Sequence, residues 1–207
     1  LEAAMSGNMT DVRAALAAKA DVNEPGDSDM TALGVAALYG HADVVRALTA
    51  AGAGVGSDQG GETALMVAAH EGHADVIEAL IEAGASVDAK NRDGMTALMA
   101  AAAANRPTAV RSLVAHGADV NALSNQKATA LMAAAYGGYG EVVDLLLSAG
   151  ADVNRVDESA RTPLMAAAIS GSLPAARSLL SRKAQINAED ASGSTAFVYA
   201  VANGHQS

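Results

Sequence analysis

Thr63-Ala-Leu-Met-Val-Ala-Ala-His70-Glu-Gly72-His-Ala-Asp75-Val-Ile-Glu-Ala-Leu80-Ile-Glu-Ala-Gly84 encodes two short helices and the turn between them. A threonine hydroxyl can accept one of the orphan N–H groups that open a helix, so Thr63 predicts an N-cap. Leu65, Ala68 and Ala69 then fall on one face, and Gly72 stops the helix. Asp75 suits the positive end of a second helix, in which Val76, Ile77, Leu80 and Ile81 follow at helical spacing. Gly84 predicts a left-handed end, and residues 85–95 are rich in turn formers.

The same unit recurs along the chain. Thr-Ala-Leu stands at Thr31, Thr63, Thr96 and Thr129, then Thr-Pro-Leu at Thr162 and Thr-Ala-Phe at Thr195, at intervals of 32 and then four times 33 residues. Nine residues after each threonine come Gly40, Gly72, Asn105, Gly138, Gly171 and Gly204. Twenty-one residues after come Gly52, Gly84, Gly117, Gly150 and Lys183. Gly7 and Lys19 extend the frame upstream, and Ala-Asp-Val-Asn recurs at Asn23, Asn121 and Asn154. A fixed period of this length marks a solenoid, in which each unit buries its apolar face only against its neighbours.

These motifs resemble the ankyrin repeat family, whose unit carries Thr-Pro-Leu-His, Gly-His, paired valines and leucines, and Gly-Ala-Asp-Val-Asn. The resemblance implies an all-α solenoid of stacked antiparallel helix pairs with projecting finger loops. The chain then reads as one domain: a partial repeat over 1–26; full repeats over 27–58, 59–91, 92–124, 125–157 and 158–190; and the start of another over 191–207. The departures carry expectations of their own. Met66, Met99, Met132 and Met165 stand where the family has histidine, so a thioether must pack there. Lys19 and Lys183 replace a helix-ending glycine and should cost about 1 kcal/mol each in the left-handed conformation. One residue is missing from the Gly-rich finger between Gly52 and Thr63. The sequence stops before the second helix of its last unit, so it is read as a piece of a longer parent, with fraying expected from Phe197 onward. The Ala-rich Thr-Ala-Leu-Met style is similar to that of bacterial ankyrin proteins.

Composition agrees with short, closely packed helices. Hydrophobic residues make up 51 % of the 207, yet only 2 % are aromatic. A net charge of −10 argues against a phosphate-backbone partner and against anionic lipid, and permits a basic protein or peptide. The chain has no cysteine, which excludes disulfides and thiolate chemistry. Gly, Asp, Glu or His breaks every apolar run, so no membrane span is expected. The expectation is a soluble monomer of open compartment, cytoplasmic, or periplasmic or secreted if a signal precedes Leu1.

Catalytic and metal readings fare poorly. His70-Glu71-Gly72-His73 is one residue short of a zinc-protease pair, and Gly72 keeps its imidazoles off a shared face. His41 and His73 match the family's Gly-His turn residue. Asp43, Asp75 and Glu141 recur at helix starts, and Asp21, Asp119 and Asp152 in loops, whereas catalysis needs one asymmetric constellation. Residues 52–61 lack the Lys-Ser/Thr ending of a phosphate loop. Neither a cofactor nor a catalytic residue is expected.

In the family, partners lie against the concave side, formed by finger tips and first-helix ends. Carried onto this chain, that register selects Met30, Glu62, Arg92, Met95, Gln126 and Arg161 in the fingers, and Leu38, Tyr39, His70, Glu71, Tyr136 and Ile169 on the helices. These positions vary between repeats and mix large apolar anchors with charge, as binding hot spots do. Unconstrained surface would also vary. The two functional readings are a non-catalytic protein-binding scaffold and an accessory segment of a larger enzyme or secreted effector whose chemistry lies elsewhere. A small-ligand site is disfavoured because a shallow face encloses little.

Overall fold

The computed structural model describes residues 1–26, 30–56 and 61–205. The proposed repeat boundaries at 27, 58 and 59, and part of the Gly-rich finger, lie outside those residues. Among the described residues the regular elements are thirteen helices. In chain order they are α1 (Glu2–Ser6), α2 (Met9–Ala17), α3 (Ala32–Leu38), α4 (Ala42–Ala50), α5 (Ala64–Glu71), α6 (Ala74–Glu82), α7 (Ala97–Ala103), α8 (Pro107–Ala115), α9 (Ala130–Tyr136), α10 (Gly140–Ser148), α11 (Pro163–Ser170), α12 (Leu173–Ser181) and α13 (Ala196–Ala202). Odd-numbered helices are first helices and even-numbered ones second helices. Each first helix from α1 to α11 packs on its own second helix, neighbouring first helices pack on one another through α13, and the second helices form a parallel row behind.

The caps form as the threonine register predicts. The hydroxyls of Thr31, Thr63, Thr96, Thr129, Thr162 and Thr195 accept the N–H three residues on, at 3.1–3.4 Å. Thr63, Thr96, Thr129 and Thr162 do so while buried, where an unmade bond would be costly. The four methionines are buried beside them, and Met165 Sδ accepts the Thr162 N–H at 3.4 Å, so the thioether completes a capping box. Second helices close on left-handed residues: Gly84 at φ 93°, and also Lys19 at 58° and Lys183 at 66°, the two expected strain points.

The core is a ladder. Leu33, Leu65, Leu98, Leu131 and Leu164 repeat two residues after each threonine, all at most 5 % exposed. Leu48, Leu80, Leu113, Leu146 and Leu179 answer them from the second helices. Between them Ala36, Ala68, Ala101 and Ala134 are fully buried, and a methyl in place of a larger side chain lets adjacent helices approach closely. This explains a strongly apolar chain with almost no aromatic rings.

Neighbouring repeats are also joined by polar bonds. His41 Nε2 donates to the Met5 carbonyl at 3.0 Å and His73 Nε2 to that of Leu38 at 3.1 Å, each one repeat back. Arg106 Nε takes the same role toward His70 at 2.8 Å. In the loops Asn121 Oδ1 accepts the Asp152 N–H at 2.8 Å while its Nδ2 donates to Gly150, and Asn23 and Asn154 do the same one repeat apart. Fingers are tied in series by backbone bonds from Asn125 to Asp93, Glu158 to Gln126 and Ala191 to Ser159, all 2.9–3.0 Å.

Candidate partner-binding face

First helices present their outer turn toward the fingers, and the space between forms two adjoining open troughs. The first, about 390 Å³, lies over α3, α5 and α7. Its walls include Met30, Leu38, Glu62, His70, Glu71 and Met95. The second, about 610 Å³, lies over α7, α9 and α11 and takes in Tyr136, Arg161 and Ile169. Ala103 borders both. The structure therefore brings nine of the twelve sequence-selected residues to two neighbouring hollows on one face.

The other three stand apart. Tyr39 caps α3, is 50 % exposed and stacks on His41 with ring centroids 6.4 Å apart. Arg92 and Gln126 line neither trough. Their backbone carbonyls join successive fingers, Arg92 accepting from Asn125 Nδ2 at 2.8 Å and Gln126 from the Glu158 N–H at 3.0 Å.

Four fingers are held at the base by a short polar residue five positions before the threonine, a register the sequence reading passed over. Asn91 Oδ1 accepts the N–H groups of Asp93 and Met95 at 3.0 and 2.9 Å, which presents Met95 to the first trough. Asp157 Oδ1 accepts those of Ser159 and Arg161, and its Oδ2 receives both Nε and a terminal nitrogen of Arg161 at 2.9 Å. Two guanidinium nitrogens converging on that one oxygen hold the Arg161 head at the wall of the second trough. Ser124 and Asp190 occupy the same register, and short polar residues recurring at 91, 124, 157 and 190 were the available signal. Also passed over were the floors: Val67 and Ala100 in the first trough, Ala133, Ala166 and half-buried Tyr139 in the second.

The electrostatics differ between the hollows. In the first, His70 Nδ1 donates to Glu71 Oε1 at 2.9 Å, which with the nearby Arg106 guanidinium at 3.8 Å holds the Glu71 carboxyl below its ordinary value. Glu71 thus stays ionised near neutrality. In the second, the charges of Asp157 and Arg161 satisfy each other beside an apolar floor. His70 and His73 are bonded apart, to Glu71 and to the Leu38 carbonyl. Among the described residues no group of three or more His, Asp or Glu is placed to hold a metal ion. No helix among them is long and apolar enough to cross a membrane. The arrangement offers apolar sockets with ionised rims, suited to side chains of another macromolecule.

Comparisons with known proteins agree with this geometry. A family model described as ankyrin repeats in three copies matches residues 1–91, 87–157 and 150–207. Among solved structures, the ankyrin repeat domain of Bcl-3, described as a unique member of the IkappaB protein family, is similar with a TM-score of 0.81. Identity is 27 %, over 95 % of this chain and 91 % of that one. No curated protein matches.

Proposed function

The chain belongs to the ankyrin repeat family, and from that premise we propose that it is a non-catalytic scaffold whose finger and first-helix face binds another protein. Ankyrin repeats generally mediate protein–protein interaction, and the all-helical stack here is of that type. The observation that carries the reading is the convergence of Met95, Tyr136 and Ile169 on the two troughs, with Tyr136 63 % exposed. An aromatic ring held half in water is a costly surface choice unless a partner covers it.

The partner is a folded protein or peptide of basic character, met by a monomer of this chain. Net charge −10 and the Glu62 and Glu71 carboxylates in the first trough support that choice of sign. Such attraction acts mainly on the association rate and is screened by salt. Tyr39, Arg92 and Gln126 belong to the rim, where truncation costs less.

The test is affinity for the captured partner. Met95→Ala, Tyr136→Ala and Ile169→Ala together should weaken binding by on the order of a hundredfold or more, since each anchor is a side chain of the hot-spot kind. The helical circular dichroism should stay unchanged, because none of the three belongs to the fully buried ladder. Undiminished affinity in the triple variant would place the interface elsewhere.

A further inference from the structure

The negative charge of this chain is confined to one half of it. Residues 1–100 hold fifteen Asp and Glu against five Lys and Arg, a net −10, whereas residues 101–207 hold eight of each and are neutral. No charged residue lies between Asp93 and Arg106, so the border falls within α7, the first helix that both troughs share. Repeats stack in the order of the sequence, which turns this division of the chain into a division of space. The first trough lies in the acidic half and the second in the neutral half.

The walls agree with that division. Glu62 and Glu71 line the first trough. The cation nearest Glu71, Arg106, spends its Nε on the His70 carbonyl at 2.8 Å and keeps a terminal nitrogen 3.8 Å from the Glu71 carboxylate. In the second trough the charges are Asp157 and Arg161, which meet at 2.9 Å and cancel, beside Met132, Tyr136, Tyr139 and Ile169. A hollow with carboxylates in excess attracts cations, and one whose charges cancel selects by apolar area. Spacing adds a measure. Neighbouring helix axes lie about 8–10 Å apart, so troughs centred on α5 and α9, two repeats from each other, are separated by roughly 16–20 Å. An extended chain at about 3.3 Å per residue covers that in five or six residues. Ala103, a single methyl, borders both hollows, so one strand laid along the stack can send side chains to both floors.

We infer that the two troughs together read one linear segment of a partner, cationic at one end and aromatic or large aliphatic at the other, with about six residues between the two anchors. The charge division fixes its order on the face. Lys or Arg lies over Glu62 and Glu71, and the apolar anchor lies over Tyr136 and Ile169. This rests on the reading of the face as the partner-binding surface, and adds to it the chemistry, order and spacing of the ligand.

The probe is a library of random linear peptides long enough to span both troughs, displayed on phage, selected on the intact chain and measured again as free synthetic peptides. Selected sequences should share a Lys/Arg cluster and a large apolar residue about six positions apart. Two double variants read the two ends separately. Glu62→Gln with Glu71→Gln should weaken the selected peptide about tenfold at low salt and flatten its salt dependence. Tyr136→Ala with Ile169→Ala should weaken it at least as much and leave the salt dependence unchanged. Order is read by proximity. The chain has no cysteine, so Ser6→Cys and Asn203→Cys, exposed at the ends of α1 and α13, each take a single nitroxide label. The label at 6 should broaden the magnetic resonance signals of the peptide's cationic end, and the label at 203 those of its apolar end. Selected peptides without the separated charge, the reverse order on the face, or no selected peptide at all would overturn the inference while leaving the face as an interface. Undiminished binding to both double variants would overturn it together with the reading of the face.

Discussion

Lys127 and Ala160 hold left-handed backbone at φ 57° and 59°, two residues before the threonine, where Gly61, Gly94 and Gly193 sit in other fingers. A side chain with a Cβ costs about 1–2 kcal/mol in that conformation. Ala160→Gly should therefore raise stability by up to about 1 kcal/mol, part of the relief being lost to the greater freedom of glycine in the unfolded chain. Urea denaturation measures it, and a loss of stability would contradict the assigned turn. The strain at Lys19 and Lys183 was legible, because each replaces a glycine of the recurring helix end; the strain at 127 and 160 was equally written in the register but in a finger, where turn residues look interchangeable. Asp190 is a second residue with a readable consequence. The Tyr199 hydroxyl bonds its Oδ2 at 2.5 Å, Ser192 and Ser194 bond its Oδ1, and together they hold its carboxyl well below its ordinary value. A depressed carboxyl stabilises the fold fully above its unfolded value near 4 and loses that contribution as pH falls further. The same bond raises the Tyr199 phenol, so its share is present below about pH 10 and lost above. Tyr199→Phe should flatten the acid limb of the stability curve between about pH 5 and 2. An unchanged acid limb in pH-dependent thermal melts would contradict the bond.

Helices and their joints obey the repeat more closely than the loops do. The position twenty-five residues after each threonine shows this. Asn121 and Asn154 bridge to the next repeat with both a donor and an acceptor, whereas Asp88 in the same register accepts the Asp119 N–H at 3.0 Å and has no amide to donate. Asp88→Asn should supply that donor toward Gly117 and remove a carboxylate beside Asp119, adding about 0.5–1.5 kcal/mol. Asn121→Ala should cost about 1–2 kcal/mol by removing two bonds. Chemical denaturation of both variants checks the pair, and equal midpoints would mean that the bridges carry no net stability. The sequence made the helices legible because threonine caps, glycine ends and aliphatic spacing all agree. It did not make the bridges legible, since the asparagine stood only as the last letter of the recurring Ala-Asp-Val-Asn and its partners lie about thirty residues away. The α13 helix runs over Ala196–Ala202, with Thr195 capping one end and the His205 bonds at the other.

Stacking in a line gives the molecule two long faces of different character. Second helices present charge outward, with Glu78, Arg111, Glu141 and Asp144 exposed, and Arg111 paired to Glu141 at 2.8 Å. First helices and fingers present the troughs. The register supplied by the family resemblance selected most of the trough walls from sequence, and those walls are large or charged residues that differ from one repeat to the next. It missed Ala103, Ala100 and Val67, whose small size makes the hollow: a floor is defined by what does not protrude, and an alanine in an Ala-rich helix carries no contrast. Tyr39 shows the converse. Its ring is large and variable, and its place is against His41 at the rim. The two faces can be set against each other directly in cells. A photo-crosslinking amino acid at Met95 or Tyr136 should yield one discrete adduct with a partner protein, while the same group at Glu78 or Asp144 yields none. Adducts from Glu78 and Asp144 with none from Met95 and Tyr136 would mean that recognition belongs to the outer row of second helices.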